Sequence, residues 1–356
     1  MIWLNNLLEQ AQGLNATDIH LTAGACVRVR TSSGDMYPIH SEDKVAPDQI
    51  AQVVKTFLTP DEQSKLDRDR KLLVSKHHPA VGRLKCAVSF QRSSYYVTLK
   101  LHGNPADLDA LSFPEAIPQL ANLKGGLILL TGHPRSGKST TAMRILQTIN
   151  QEQTKSIVTI EHNIDVLLKH DQSMVKQKEV GLDAGSQLSA LEFIQGEDAD
   201  VIYIDEIHGQ ESLLLALQLA EQGKLVVAGT YTKNVIQTLK FLMAMYSDQH
   251  AGYGKMQVAA ALKAIVSHKR IPGEGGLRQP LYEIWLNNKA MQRLIEEEKV
   301  DHVYDLMDQY TAMGMMCFDY SLAQYIAREA IDPDQGLQMA QSTSKVETIL
   351  ERGLAR

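Results

Sequence analysis

The stretch GLILLTGHPRSGKSTTAMRIL, residues 126–146, decides the fold. An apolar run of strand length breaks at Gly132-His-Pro-Arg-Ser-Gly137-Lys138-Ser139, which fits the spacing GxxxxGK[ST], and an amphipathic helical pattern follows. Glycines at both ends of such a turn let backbone N–H groups converge on phosphate oxygens, and the positive N-terminal end of the helix adds to the attraction. Gly132, Ser136, Gly137, Lys138, Ser139 and Thr140 are therefore the candidate nucleotide-binding residues, with Lys138 as a point charge and the Ser139 hydroxyl as a ligand for Mg²⁺. A glycine-rich turn that merely joins strand to helix has no need of a lysine and a serine at those two positions.

Outward from this loop, apolar runs alternate with amphipathic stretches: SIVTIE, VIYIDE, a helix over Glu211–Gln222, and KLVVAGTYT. That alternation predicts a parallel sheet covered by helices, an α/β fold. Upstream, short alternating segments (CVRVRT at 26–31, YYVTLKL at 95–101), an opening helix and a polar helical stretch from Pro47 to about Lys71 predict a small α+β domain. The proline-bearing stretch 102–118 reads as a linker into a short helix. Past Trp285 the pattern is helical. The expected division is 1–112, 113–285 and 286–356.

An ATPase also needs acids at strand ends facing the phosphates. In Asp198-Ala-Asp200-Val-Ile-Tyr-Ile-Asp205-Glu206, an apolar strand ends in two acids. Asp205 is the candidate for the Mg²⁺ shell, and Glu206 for polarising the attacking water. Glu161, closing SIVTIE, is a second catalytic candidate, although a lone acid there also suits an exposed strand end. His133, His162 and His208 lie nearby without the spacing of a metal site.

The chain has 356 residues, 44% hydrophobic and 22% charged, with a formal net charge of -6. That composition excludes disorder and gives no cationic field for a nucleic-acid partner. Cys26, Cys86 and Cys317 form no CxxC or CxxH pattern, which points to a reducing cytosol. The opening MIWLNNLLEQAQ is too polar for a signal-peptide core, and no run approaches the roughly 20 apolar residues of a spanning helix.

The order of these motifs resembles the PilT/PilU family of type IV pilus retraction ATPases. ATDIHLTAG (16–24), the stretch 175–207 ending in DADVIYIDEI, LYEIWLNNKAMQRLIEEEKV (281–300) and GMMCFDYSLAQY (314–325) each have a counterpart there. VGLD at 180–183 and the pair Phe318-Asp319 tilt the likeness toward PilU, and the missing tetracysteine tilts it away from the assembly motors. The resemblance implies a RecA-like P-loop core, a PAS-like α+β N-terminal domain and a helical C-terminal segment. It also implies a homo-hexameric ring with ATP and Mg²⁺ between subunits, and Arg92 and Lys100 as cations near the nucleotide. A lysine lacks the bidentate fork of an arginine at such a position. The implied partners are a primary retraction ATPase and the inner-membrane platform protein, at the cytoplasmic face of that membrane, with no nucleic acid and no direct membrane insertion.

Departures from the family pattern cluster at the chemistry. TIEHNID keeps Glu161 but has His162 where the family has an aspartate. Tyr231 replaces the histidine of the His box, His208 an arginine, Pro134 and Arg135 a threonine and a glycine, and Asp205 a glycine. A phenol stays neutral where an imidazole can carry charge. Two readings follow: an accessory retraction motor that hydrolyses ATP, or a nucleotide-binding adaptor of weak turnover docked on an active motor. A nucleic-acid translocase would need the basic channel that the charge balance withholds.

Overall fold

The structure, a computed structural model, describes residues 2–14, 16–31, 35–79, 81–101, 108, 111–246, 251–272 and 278–353. Parts of the anticipated linker, residues 102–107 and 109–110, lie outside these. The chain divides into two compact units, one of residues 1–107 with 163–167, the other of residues 108–162 with 168–356.

In the first unit the order is α1 (Ile2–Gly13), β1 (Ala16–Thr22), β2 (Cys26–Thr31), β3 (Met36–Lys44), α2 (Pro47–Phe57), α3 (Pro60–Asp69), β4 (Lys71–His78), β5 (Gly82–Gln91) and β6 (Ser94–Leu101). The six strands form an antiparallel sheet in the order β3-β2-β1-β6-β5-β4. Period-two alternation puts Ile19, Leu21, Val27, Val29, Leu84, Cys86, Val88, Val97 and Leu99 on one face. They are buried with Leu8, Ile50, Val54, Phe57 and Leu66 from the helices. The single helical stretch expected from Pro47 is two helices. Thr59 accepts the N–H of Glu62, the Glu62 carboxylate accepts the N–H of Thr59, and Pro60 opens the second helix, so a complete capping box interrupts the run.

The second unit runs α4 (Ala116–Gln119), β7 (Gly126–Gly132), α5 (Lys138–Glu152), β8 (Ser156–Glu161), β9 (Met174–Glu179), α6 (Gln187–Ile194), β10 (Val201–Ile204), α7 (Gln210–Glu221) and β11 (Leu225–Thr230). It continues through α8 (Val235–Ala244), α9 (Ala251–Ala261), β12 (Leu262–Pro272), β13 (Arg278–Leu286), α10 (Lys289–Glu296), α11 (Val303–Gln309), α12 (Phe318–Ala327), α13 (Pro333–Met339) and α14 (Thr343–Glu351). The sheet order is β13-β12-β7-β11-β10-β8-β9, parallel except for β13, which runs antiparallel to β12. Every residue of β7, β10 and β11 is buried, as strands covered on both faces must be. Strands β9, β12 and β13 go beyond the sequence expectation.

Register places the site. Thr131 of β7 lies beside Thr230 of β11 and Ser267 of β12, while Ile204 of β10 lies beside Ala228 of β11 and Ile160 of β8. The C-terminal ends of these parallel strands thus share one edge of the sheet. In open parallel sheets ligands bind at that edge.

Candidate nucleotide site

The phosphate-binding turn is bounded by two glycines with positive φ, Gly132 at 135° and Gly137 at 115°, and Gly137 caps α5. A Cβ on Gly132 would stand 2.5 Å from the His268 carbonyl and 2.8 Å from Ser136 Oγ, so only glycine fits there. Between them Arg135 takes φ of 65°. Lys138 Nζ reaches back into the turn and donates to the carbonyls of Gly132 at 2.7 Å and His133 at 3.2 Å. Burial lowers its pKa from the usual lysine value, and the Glu206 carboxylate opposes that shift. Ser136 Oγ is buried without a hydrogen-bond partner among the described residues. Ser139 stands exposed, and Thr140 half-buried, on the first turn of α5. A glycine cradle, an inward lysine and an unpaired hydroxyl at a helix N-terminus together fit a polyphosphate.

His268 supports this turn from β12, an element that carries no motif. Its Nδ1 lies 3.0 Å from the Thr131 carbonyl, which can only accept, so Nδ1 bears the proton. Nε2 then accepts from Thr141 Oγ1 at 2.9 Å. The Tyr282 ring closes the pocket edge-on at 5.5 Å. Burial holds the imidazole down to about 4, hence neutral.

At the end of β10, Asp205 is a tie between strands. Its carboxylate accepts the N–H of His162 at 2.6 Å, the His162 ring Nδ1 at 3.2 Å and the N–H of Glu206 at 2.7 Å. Gly229 of β11 must lack a side chain, because a Cβ would come within 2.1 Å of the Asp205 carbonyl. Gln187, at the start of α6, donates to the Glu206 carbonyl at 2.6 Å and accepts the N–H of His208 at 3.0 Å. Burial raises the pKa of Glu206 from the ordinary carboxylate value, against the opposing charges of His208 and Lys138. Glu161, also buried, accepts from Thr159 Oγ1 at 2.5 Å and Gln177 Nε2 at 3.1 Å. It therefore belongs to a network on the β8–β9 side.

Tyr231, just past β11, sets its ring 4.9 Å from Lys138 Nζ, a cation–π contact. Burial and the carboxylates of Glu206 and Asp205 raise the pKa of its phenol. Lys138, Tyr231, Asp205 and Glu206 are thus within electrostatic reach of one another. Arg92 and Lys100 belong to the first unit: Arg92 is exposed in the β5–β6 turn, and Lys100 pairs with Asp165 at 3.8 Å. His268 and Gln187 escape sequence reading because no local pattern marks them.

Residues 104–274 match the family of type II/IV secretion system proteins. The chain is 27% identical over 339 residues to the type IV pilus ATPase PilU of Pseudomonas aeruginosa, covering 95% of this chain and 88% of that protein. It is 26% identical over 341 residues to the retraction ATPase PilT of the same organism, covering 95% of this chain and 98% of that one. Among solved structures, a crystal structure of the pilus retraction motor PilT with bound ADP superposes with a TM-score of 0.86 at 30% identity, over 97% of this chain and 99% of that chain.

Proposed function

Because the chain belongs to the type IV pilus ATPases of the PilT and PilU kind, we propose that it binds ATP at the Gly132–Thr140 turn and hydrolyses it to support pilus retraction as a PilU-like accessory motor. The observation that carries the reading is the convergence of Lys138, held inside the glycine turn, with the half-buried acid Glu206 at one edge of a parallel sheet.

The turn's N–H groups, the start of α5 and Lys138 bind the phosphates. Glu206 takes the proton of a water whose oxygen attacks the γ-phosphorus, the bond to ADP breaks, and phosphate leaves. A carboxyl with a raised pKa suits that exchange, because its basicity moves toward working pH. Mg²⁺, when bound with the nucleotide, would supply neutralisation of phosphate charge. The exposed Ser139 hydroxyl would fit the ion, and Asp205, whose two carboxylate oxygens already accept from the His162 N–H and ring Nδ1 and from the Glu206 N–H, would act on its hydration shell through charge. We place the protein in a homo-hexamer, with Arg92 and Lys100 serving a neighbour's nucleotide. A primary retraction ATPase and the membrane platform protein are the proposed partners, at the cytoplasmic face of the inner membrane. Among the described residues no helix is long and apolar enough to cross a membrane.

ATP hydrolysis by the purified chain tests this. Lys138→Ala and Glu206→Gln should each lower turnover by about 10² or more, and Glu206→Gln should still bind nucleotide. Undiminished hydrolysis in both variants sinks the reading. The adaptor reading draws on Tyr231, whose neutral ring meets Lys138 where the family has an imidazole. Turnover that appears only when a cognate retraction motor is added favours it.

A further inference from the structure

Just past the C-terminal ends of the neighbouring strands β8 and β10 stand two imidazoles, His162 and His208, and two carboxylates, Asp205 and Glu206, arranged in a chain of contacts. His162 gives Asp205 two donors, its backbone N–H at 2.6 Å and its ring Nδ1 at 3.2 Å. A carboxylate partner fixes the proton on that ring nitrogen. Asp205 in turn accepts the N–H of Glu206 at 2.7 Å. Gln187 holds the Glu206 carbonyl from the other side at 2.6 Å. The main chain of Glu206 is therefore fixed at both its N–H and its C=O.

Its side chain is not. Glu206 Oε1 is buried and has no hydrogen-bond partner among the described residues. His208 Nε2 faces it at 4.0 Å, beyond hydrogen-bond range but within reach of a modest side-chain rotation. The His208 ring is constrained in turn. It packs T-shaped on His162, with centroids 4.6 Å apart and planes at 87°. One imidazole grips the first carboxylate, and the second, braced on the first, points at the other.

We infer that His162 and His208 are positioning residues for Glu206: His162 fixes its main chain through Asp205, and His208 orients its carboxylate toward the attacking water. The inference rests on the reading of Glu206 as the water-activating acid.

Steady-state kinetics of four variants test it. In His208→Gln the amide nitrogen can replace Nε2, and in His162→Asn it can replace Nδ1, whereas His208→Ala and His162→Ala remove the ring donors and leave the His162 main-chain N–H on Asp205. The alanine variants should lower kcat by about 10- to 100-fold, as groups that orient a working residue do. KM for ATP should move by no more than about twofold, because the phosphate contacts are intact. The amide variants should recover most of the loss, and the double alanine variant should be no worse than the poorer single one. Undiminished kcat in the alanine variants, a loss carried by KM, or amide variants no better than alanine would each overturn the inference. A second readout is independent of turnover: in a crystal structure of the wild-type chain with ADP and aluminium fluoride, His208 Nε2 should lie within hydrogen-bond distance of the Glu206 carboxylate. A ring turned away from Glu206 also overturns it. If the wild-type chain hydrolyses no ATP, the ATPase reading falls by itself, and that structure decides the imidazole pair.

Discussion

At the scale of single residues, His268 shows how the fold spends a titratable group on support. Both ring nitrogens have partners, and the one facing Thr141 must stay unprotonated to accept its hydroxyl. Burial keeps the folded-state pKa at about 4, well below the ordinary value near 6.5. Between those two pH values the unfolded chain binds the proton and the folded chain does not. Stability from this group is therefore full above about pH 6.5 and declines as pH falls toward 4, by roughly 3 kcal/mol at most. Glu283 acts in the opposite sense. Burial raises it to about 7, so the stability it contributes at low pH is lost as pH rises through that value. The two slopes oppose each other in wild-type protein, and a variant comparison isolates one of them. His268→Asn should be less stable than wild type at pH 8, and its deficit should shrink as pH falls to 4. Urea unfolding midpoints across that range check this, and a pH-independent deficit would mean that His268 does not stay neutral.

At the scale of elements, the β5–β6 hairpin closes through Arg92 and Ser93, with φ of 48° and 62°. Two consecutive left-handed residues make the turn that Asn-Gly fills best. Replacing the pair with Asn-Gly should stabilise the first unit by up to about 1 kcal/mol through relief of backbone strain. It should also raise KM for ATP if Arg92 serves a nucleotide, so a higher melting temperature with unchanged KM would remove Arg92 from the site. The wider fold was legible in proportion to how local its signals are. Strands β7, β8, β10 and β11 are apolar runs bounded by turns and can be read directly. MVKQKE, the edge strand β9, is too polar to stand out, and β12 begins at Leu262 directly after α9 ends at Ala261, with no glycine or proline to mark the change. The break at Thr59-Pro60 was legible, since threonine three residues before Glu62 is a capping signature. Within the site, Lys138, Ser139 and Glu206 lie in contiguous motifs. The hold of His268 on Thr131 spans 137 positions, and that of Gln187 on Glu206 spans 19; only the folded sheet brings them together.

At the scale of the whole molecule, what remains is whether one subunit's chemistry depends on the next. The second unit alone supplies the glycine turn, Lys138, Ser139 and Glu206, whereas the cations proposed for the nucleotide, Arg92 and Lys100, lie in the first unit. Lys100 is lightly held: its partner Asp165 is 3.8 Å away, and both side chains are at least a third exposed, a geometry that contributes little in water. It can turn to a phosphate at small cost. If those cations complete a neighbour's site, subunits that bind ATP but cannot hydrolyse it should impair their neighbours. Glu206→Gln is such a subunit, because it keeps the phosphate contacts. Turnover of rings reassembled from wild-type and Glu206→Gln protein in equal amounts should fall well below half of the wild-type rate, and the decline with variant fraction should curve downward. A straight line would show that each subunit works alone, and would confine the chemistry to the residues gathered at the end of one sheet.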